Sequence, residues 1–365
     1  MRILMFTRYS AMGANSRYRL LQYVSLLVEA GHQVEVRPML DDVYLQALYS
    51  KGRRSIVHTL VGYWHRGAHL RGLGECDLVI CDQEFLPYFP PFVEAWLASR
   101  CSRLIVDYDD AAYFKYQGIP GLRNRIAVLM AAAEAVVVGN RYLEEYAARH
   151  SRNVHLIPTV VDTSRYEPKQ DYAAHEGVRL VWIGTPITAG FLQPMAPVLT
   201  ALHEKYADLQ LRLVGAGNVL RDALPFAEVV EWSEAYESKL LAECDVGLMP
   251  LPDNDFTRGK CGLKLIQYMA AGLPVVGSPV GANRAIISEG EDGYLAEELK
   301  DWHAGLERLI TSEDLRREFG RKGATKARQK YSLEHGFEAW MNLIKANSRA
   351  ESKAAYNAAA PVGRP

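Results

Sequence analysis

The feature that most narrows the fold is a regular exchange of two hydrophobic periods. Short β-branched runs alternate with longer stretches in which apolar residues recur every three or four positions. That alternation predicts βα units and parallel sheets. In the first half the expected strands are Ile3–Thr7, Gln33–Arg37, Leu78–Cys81, Leu104–Asp107, Val136–Gly139 and Val154–Ile157. Helical patterns fill the gaps at Arg17–Ala30 (with Ser16 as cap), Ile56–Leu70, Pro91–Ser99, Leu122–Ala133 and Tyr142–His150. The polar stretch Asp162–Gly177, with Pro168, reads as a linker. A second series follows, with strands at Arg179–Ile183, Gln210–Val214, Val229–Glu231, Val246–Met249 and Val275–Gly277. The expected fold is α/β, two Rossmann-like domains facing across a cleft, where ligands of such sheets bind. The domains are expected at residues 1–165 and 175–330. A helix at 332–345 can pack back on the first domain, and the small, polar, Ala-rich residues 347–365 are expected to be a disordered tail.

Composition removes several function classes. Hydrophobic residues make up 49% of the chain and charged residues 23%, enough to bury two cores. A net charge of −1 argues against a dedicated nucleic-acid binder. No apolar run approaches the roughly 18 residues of a membrane span. The five cysteines are odd in number and form no C-x-x-C pair, which predicts free thiols in the cytoplasm. The chain runs from Met1 straight into a core strand, with no signal-peptide pattern.

Familiar phosphate motifs are missing. The first loop, Thr7–Ser16, holds one glycine, Gly13, and no G-x-G-x-x-G. Gly259-Lys260 is followed by Cys261 and so is not a Walker A motif. Asp107-Tyr108-Asp109-Asp110 ends a strand and has the residue types for Mg²⁺ or Mn²⁺. The alternative, carboxylates that cap the next segment, fits a two-domain chain better, so no metal and no cofactor are expected. The most informative stretch is Arg258 to Gly272, where Lys260, Lys264 and Gln267 are spaced i, i+4, i+7 on an otherwise apolar helix. A polar stripe there meets water or a charged ligand. With Arg258 and the helix N-terminal amides it would hold a diphosphate.

Gly262-Leu-Lys-Leu-Ile-Gln-Tyr-Met-Ala-Ala-Gly-Leu-Pro-Val-Val-Gly-Ser-Pro-Val-Gly281, followed by Glu291-Asp-Gly-Tyr-Leu295, resembles the donor-site signature of GT-B glycosyltransferases of family 4. Asn153–Asp162, Cys244–Pro250 and Arg17–Gln22 resemble that family's linker, the strand before its donor loop and its first helix. The resemblance implies a retaining, metal-independent transfer from a nucleoside-diphosphate sugar to a glycan or lipid-linked acceptor in cell-surface polysaccharide biosynthesis. It implies Arg258, Lys264 and Asp109 as catalytic residues. It also implies donor contacts from Gly13, Gly184, Thr185, Lys260, Gly262, Gln267 and Gly281. The two glutamates of the family pattern are replaced by Gly259 and Gln267, and its basic pair after the first strand of the second domain by the neutral Gly184–Thr188. Those departures keep two rivals open: a non-catalytic nucleotide- or glycan-binding protein, and a nucleotide-sugar epimerase or hydrolase.

The acceptor side is expected on the first domain, with Arg17, Gln83, Glu84 and Asp110 as candidates. The segment Val43–Gly74 has no acid but carries Lys51, Arg53, Arg54, Arg66 and Arg71 among aromatic residues. That pattern suits an anionic membrane surface, and so a cytoplasmic protein peripheral to the inner face of the plasma membrane. The alternative is an ordinary solvated basic helix.

Overall fold

A computed structural model describes residues 1–51, 55–174 and 176–359, with the side chains of 50, 51 and 347–359 outside the description. The first sheet contains β1 (Arg2–Tyr9), β2 (Gln33–Leu40), β3 (Leu78–Asp82), β4 (Leu104–Tyr108), β5 (Ala135–Val138) and β6 (Val154–Leu156). The second contains β7 (Arg179–Ile183), β8 (Gln210–Val214), β9 (Glu228–Val230), β10 (Val246–Met249), β11 (Val275–Gly277) and β12 (Gly293–Leu295). Both are parallel, in the orders β2-β1-β3-β4-β5-β6 and β12-β11-β10-β7-β8-β9. Ile3 pairs with both Val34 and Leu78, so the strand order reverses at β1. It reverses again at β7, between β8 and β10. Crevices at the carboxyl ends of strands at such reversals are where ligands bind.

In the first half the helices are α1 (Ala14–Arg19), α2 (Val24–Glu29), α3 (Asp42–Lys51), α4 (Ile56–His69), α5 (Pro91–Ala98), α6 (Arg125–Ala132) and α7 (Arg141–Ala147). In the second they are α8 (Pro186–Ala189), α9 (Ala196–Lys205), α10 (Glu237–Ala242), α11 (Asp255–Arg258), α12 (Leu263–Ala270), α13 (Asn283–Ile286), α14 (Leu299–Thr311), α15 (Glu313–Lys330) and α16 (Leu333–Ala359).

Two local expectations need correction, and two elements were not foreseen. The helix expected over Arg17–Ala30 is broken at Leu20 into α1, a 3₁₀ turn and α2. Ser16 lies inside α1 and is not its cap. Its hydroxyl accepts from the Tyr9 amide at 3.0 Å and donates to Asp82 at 2.8 Å. Strand β12 and helix α3 were not foreseen. A three-residue strand is too short to show a period, and α3 fell inside a segment read only for its charge.

The apolar runs lie where periodicity demanded. Phe6, Val79, Val106 and Val136 face one side of the first sheet, and Ile3, Met5, Ile80 and Ile105 the other. Helix α16 covers that second side: Trp340, Leu343 and Ile344 are buried against it. The chain therefore crosses between the sheets twice, and a parallel bridge pairs Val161 with Ser332 where the crossings meet. Helix α16 continues to Ala359, into the segment expected to be a tail, through residues rich in the good helix former alanine. Residues 360–365 lie outside the described residues. Among the described residues no helix is long and apolar enough to cross a membrane.

Candidate active site

The first-domain wall is built where β1, β3 and β4 end. Gln83, the residue after β3, is buried and held at a φ of 66°, a left-handed conformation that is costly for a residue with a side chain. That backbone turns its amide toward Asp109, to which Nε2 donates at 3.1 Å. Asn15 Nδ2 donates to the same carboxylate oxygen at 2.7 Å. Burial, then the neighbouring Asp110 and Asp82, push the Asp109 carboxyl well above the usual carboxylate range. The structure therefore brings Asp109, Gln83 and Asp110 together at the cleft.

Other acidic candidates are already engaged. Asp107 forms a buried pair with Arg19, whose Nη2 and Nε donate to its two oxygens at 2.6 and 2.9 Å. It is not free to share a ligand with Asp109. Among the described residues no cluster of three metal-ligating side chains is found. Glu84, expected to bind acceptor, lies beneath the cleft floor. Arg125 Nε is 3.0 Å from it and the Tyr116 hydroxyl donates to it at 2.7 Å, so its oxygens are taken up within the fold.

The opposite wall is the α11–α12 turn. Lys264 lies in the first turn of α12, partly buried, with its ammonium 5.3 Å from the centre of the Trp182 ring. Among the described residues it has no hydrogen-bond or ion-pair partner. Burial first, then the nearby charge of Lys260, lower its pKa to about 7. An unneutralised cation beside a helix N-terminus is an arrangement made for an anion. Gly184, after β7, packs on the same indole, and Thr185 caps α8 beside it. Lys260 Nζ reaches across to Asp110 at 2.9 Å. It precedes α12, so only Lys264 and Gln267 of the expected stripe share a helix.

Arg258 is misplaced in the sequence reading. Its side chain is 44% exposed and forms two hydrogen bonds with Asp253, at 2.6 and 3.1 Å, and an ion pair with Asp255 at 3.5 Å. It points outward and does not converge with Lys264. The motif glycines shape the turn through their backbone. Gly262 caps α12 with a φ of 69°, and Gly281, with a φ of 55°, lies so close that a Cβ would be 2.5 Å from the Arg258 carbonyl oxygen. Only glycine enters both conformations cheaply. Gly13, an expected donor contact, caps α1 against Tyr9 on the first domain.

The two walls touch. Asn140 Nδ2 donates to the carbonyls of Arg258 at 3.1 Å and Lys260 at 2.9 Å. Gly259, where the family pattern has a glutamate, lies directly against Ala111. A Cβ at 259 would stand 2.7 Å from the Ala111 nitrogen and 2.8 Å from its Cβ. The missing side chain is thus explained by close approach of the domains. Gly259→Ala is expected to cost about 1–3 kcal/mol of closed form through overpacking, which lowers kcat about tenfold or more while each domain stays folded. Small-angle scattering should show a larger radius of gyration, and an unchanged radius with unchanged kcat would refute this.

Arg17 and Gln267 take partners that the sequence did not suggest. Arg17 stacks 4.7 Å over the Trp232 ring and lies 3.7 Å from Glu234, so it reaches the second domain instead of an acceptor pocket. Gln267 is buried, and its Nε2 donates to Glu237 at 2.7 Å. Glu237 also accepts from Tyr18 and Tyr166 at 2.8 Å each and from Trp232 at 2.7 Å. This carboxylate, on α10, was missed; a lone glutamate before an apolar run carries no local signal.

Residues 178–312 match the family model for glycosyl transferases group 1. No curated protein matches the chain. Among solved structures, sucrose-phosphate synthase from Thermosynechococcus elongatus is similar with a TM-score of 0.72 and 16% identity, over 96% of this chain and 100% of that one. HepE from Anabaena, solved with UDP and glucose, gives 0.71 and 14%, over 95% and 100%. TarM from S. aureus gives 0.60 and 15%, over 76% of this chain and 58% of its own. With two parallel six-stranded sheets meeting at a cleft, the chain has the GT-B fold of these solved structures, and its residues 178–312 match glycosyl transferases group 1.

Proposed function

We propose that the protein transfers a sugar, with retention of anomeric configuration, from a nucleoside-diphosphate sugar to a hydroxyl of a glycan or lipid-linked acceptor in cell-surface polysaccharide biosynthesis. The observation that carries the donor class is Lys264: an amine in the cleft, at the start of α12, with no hydrogen-bond or ion-pair partner among the described residues. Solved neighbours with UDP, glucose or UDP-glucose bound support a uridine diphosphate sugar as the first class to try.

In this reading the diphosphate sits against Lys264 and the first-turn amides of α12. The bond from the anomeric carbon to the diphosphate oxygen breaks, and negative charge builds where these groups already point. The acceptor oxygen bonds to the same face, and its proton passes to the departing phosphate oxygen. Asp109, held by Asn15 and Gln83, faces this space and orients hydroxyls. No protein nucleophile is required, and charge stabilisation by protein groups leaves no step that needs a metal.

A donor panel read by release of nucleoside diphosphate tests this. Release from one nucleotide sugar, undiminished in EDTA, is the expected result. Activity lost in EDTA and restored by Mn²⁺ would give the diphosphate to a metal on Asp109 and Asp110. No turnover of any donor, with diphosphate still bound, would leave a binding protein.

A further inference from the structure

Resting on the transfer reading above, we infer that the acceptor is an acidic sugar, and that Arg8 and Lys115 hold its carboxylate or phosphate beside the hydroxyl that takes the new bond. Arg8 stands near the end of β1, and Lys115 on the 3₁₀ turn Ala112–Tyr116 that follows β4. Both reach Glu84: Arg8 Nη1 is 3.7 Å from its Oε1 and Lys115 Nζ 3.5 Å. The same carboxylate already answers Arg125, 3.0 Å from its other oxygen. Arg125 has Glu94 as a second partner, whereas Arg8 and Lys115 have no other carboxylate within ion-pair distance among the described residues. Asp110 is taken by Lys260, and Asp82 by the Arg8 amide and Ser16. The Lys115 side chain is 28% exposed and its contacts are long ones. Burial first, then the charge of Arg8, lower its pKa to about 8. Two part-buried cations that share one engaged carboxylate leave room for a further anion.

Gln83 places these cations beside the reacting end of the cleft. Its Oε1 accepts from Arg8 Nη1 at 3.2 Å and from Lys115 Nζ at 3.5 Å, and its Nε2 donates to Asp109 at 3.1 Å. One carboxamide therefore separates the cationic pair from the carboxyl that orients hydroxyls, a span on the scale of a single sugar ring. The charge and the reacting hydroxyl then belong to the same sugar. An aromatic platform stands alongside. Among the described residues the non-glycine positions with positive φ are Gln83 and Tyr88, both in the loop after β3. Tyr88, at a φ of 63°, is 47% exposed, and its ring lies 5.4 Å from that of Tyr116, whose hydroxyl donates to Glu84. Backbone strain of this kind gathers at ligand sites, and the open ring offers the C–H side of a sugar an apolar surface. The basic segment read from the sequence as lipid-facing does not supply this charge. Arg66 is buried and donates to Thr7 O, and Arg53 and Arg54 lie outside the described residues. The outward face of α4 is apolar, with Ile56, Leu60 and Trp64 exposed.

Saturation-transfer NMR of the full chain with glucuronic acid, glucose 6-phosphate and glucose as probes tests this. At least one acid should bind about tenfold or more tightly than glucose, and Lys115→Gln should remove that preference, as loss of a charge-assisted bond requires. The tighter of the two acids identifies the group as carboxylate or phosphate. Lys115→Arg should keep the preference, and so should Lys264→Ala, whose diphosphate site lies on the other domain. In the parent the preference should shrink as salt rises. The melting temperature and UDP affinity of Lys115→Gln should match those of the parent. Equal binding of acids and glucose by the parent overturns the proposal. So does a preference that Lys264→Ala abolishes and Lys115→Gln spares, which puts the acid in the diphosphate site. The readout needs no turnover, and UDP affinity is measured beside it, so failure here leaves the donor assignment standing.

Discussion

Lys264→Ala is expected to weaken nucleoside diphosphate binding by about 2–3 kcal/mol, the range of a hydrogen bond to a charged group, or roughly 30- to 150-fold. The variant should also remove a pH dependence that the parent shows. In the free protein the Lys264 pKa is lowered from 10.5 to about 7, chiefly by burial. A bound diphosphate restores the charged form, so above about pH 7 binding must take up a proton. Affinity should then fall about tenfold per pH unit from near 7 toward 10.5. Stability of the free protein moves oppositely. The unfolded chain holds this proton up to its ordinary pKa while the folded one releases it, so the cost of Lys264 is full below about pH 7 and relieved as pH rises. Titration calorimetry in buffers of different ionisation enthalpy measures the uptake. Equal proton uptake in parent and Lys264→Ala would remove Lys264 from the diphosphate site. Arg258→Ala, by contrast, should change affinity little, because its guanidinium is held by Asp253 on the outside.

The second large effect is expected at Glu237. Its buried carboxylate accepts from Tyr18, Tyr166, Gln267 and Trp232. Glu237→Ala leaves four donors in a dry site without their acceptor and should cost about 3–5 kcal/mol, as when one partner of a buried polar network is removed. Tyr18→Phe removes the bond the first domain donates to Glu237 and the longer one its hydroxyl accepts from Gln267 at 3.2 Å, and should cost only about 1–2 kcal/mol. Denaturant melts of the two variants give the comparison. A Glu237→Ala loss no greater than that of Tyr18→Phe would show that the network is not held through this carboxylate. The pair also separates two roles: Tyr18 links the domains, whereas the other three donors lie in the linker and the second domain.

How much of the site could be read in advance depended on how local its signal was. Lys264 was legible because an ammonium in an apolar helix has few explanations. Arg258 was read with it from proximity in sequence, but Asp253 lies five residues earlier on a turn that brings the two side chains together on the surface. Gln267 was read as a donor contact, and its place on α12 was right. Its partner, thirty residues away in sequence on α10, decides that the side chain is spent inside the fold. Glu84 followed the same course, since Arg125 and Tyr116 arrive from a different βα unit.

By itself the sequence determined the two parallel sheets, because strand and helix periods are set by which face of each element must leave water, and that choice is written residue by residue. It also determined the turn before α12, where glycines and a cationic helix start are neighbours in the chain. Only the tertiary structure decided why position 259 has no side chain, which charges answer one another, and which face of α4 stays outside. Each of these depends on groups brought together from distant segments. Hydrogen bonds and ion pairs act over a few ångströms, and nothing in the linear order of residues states which distant groups will come that close.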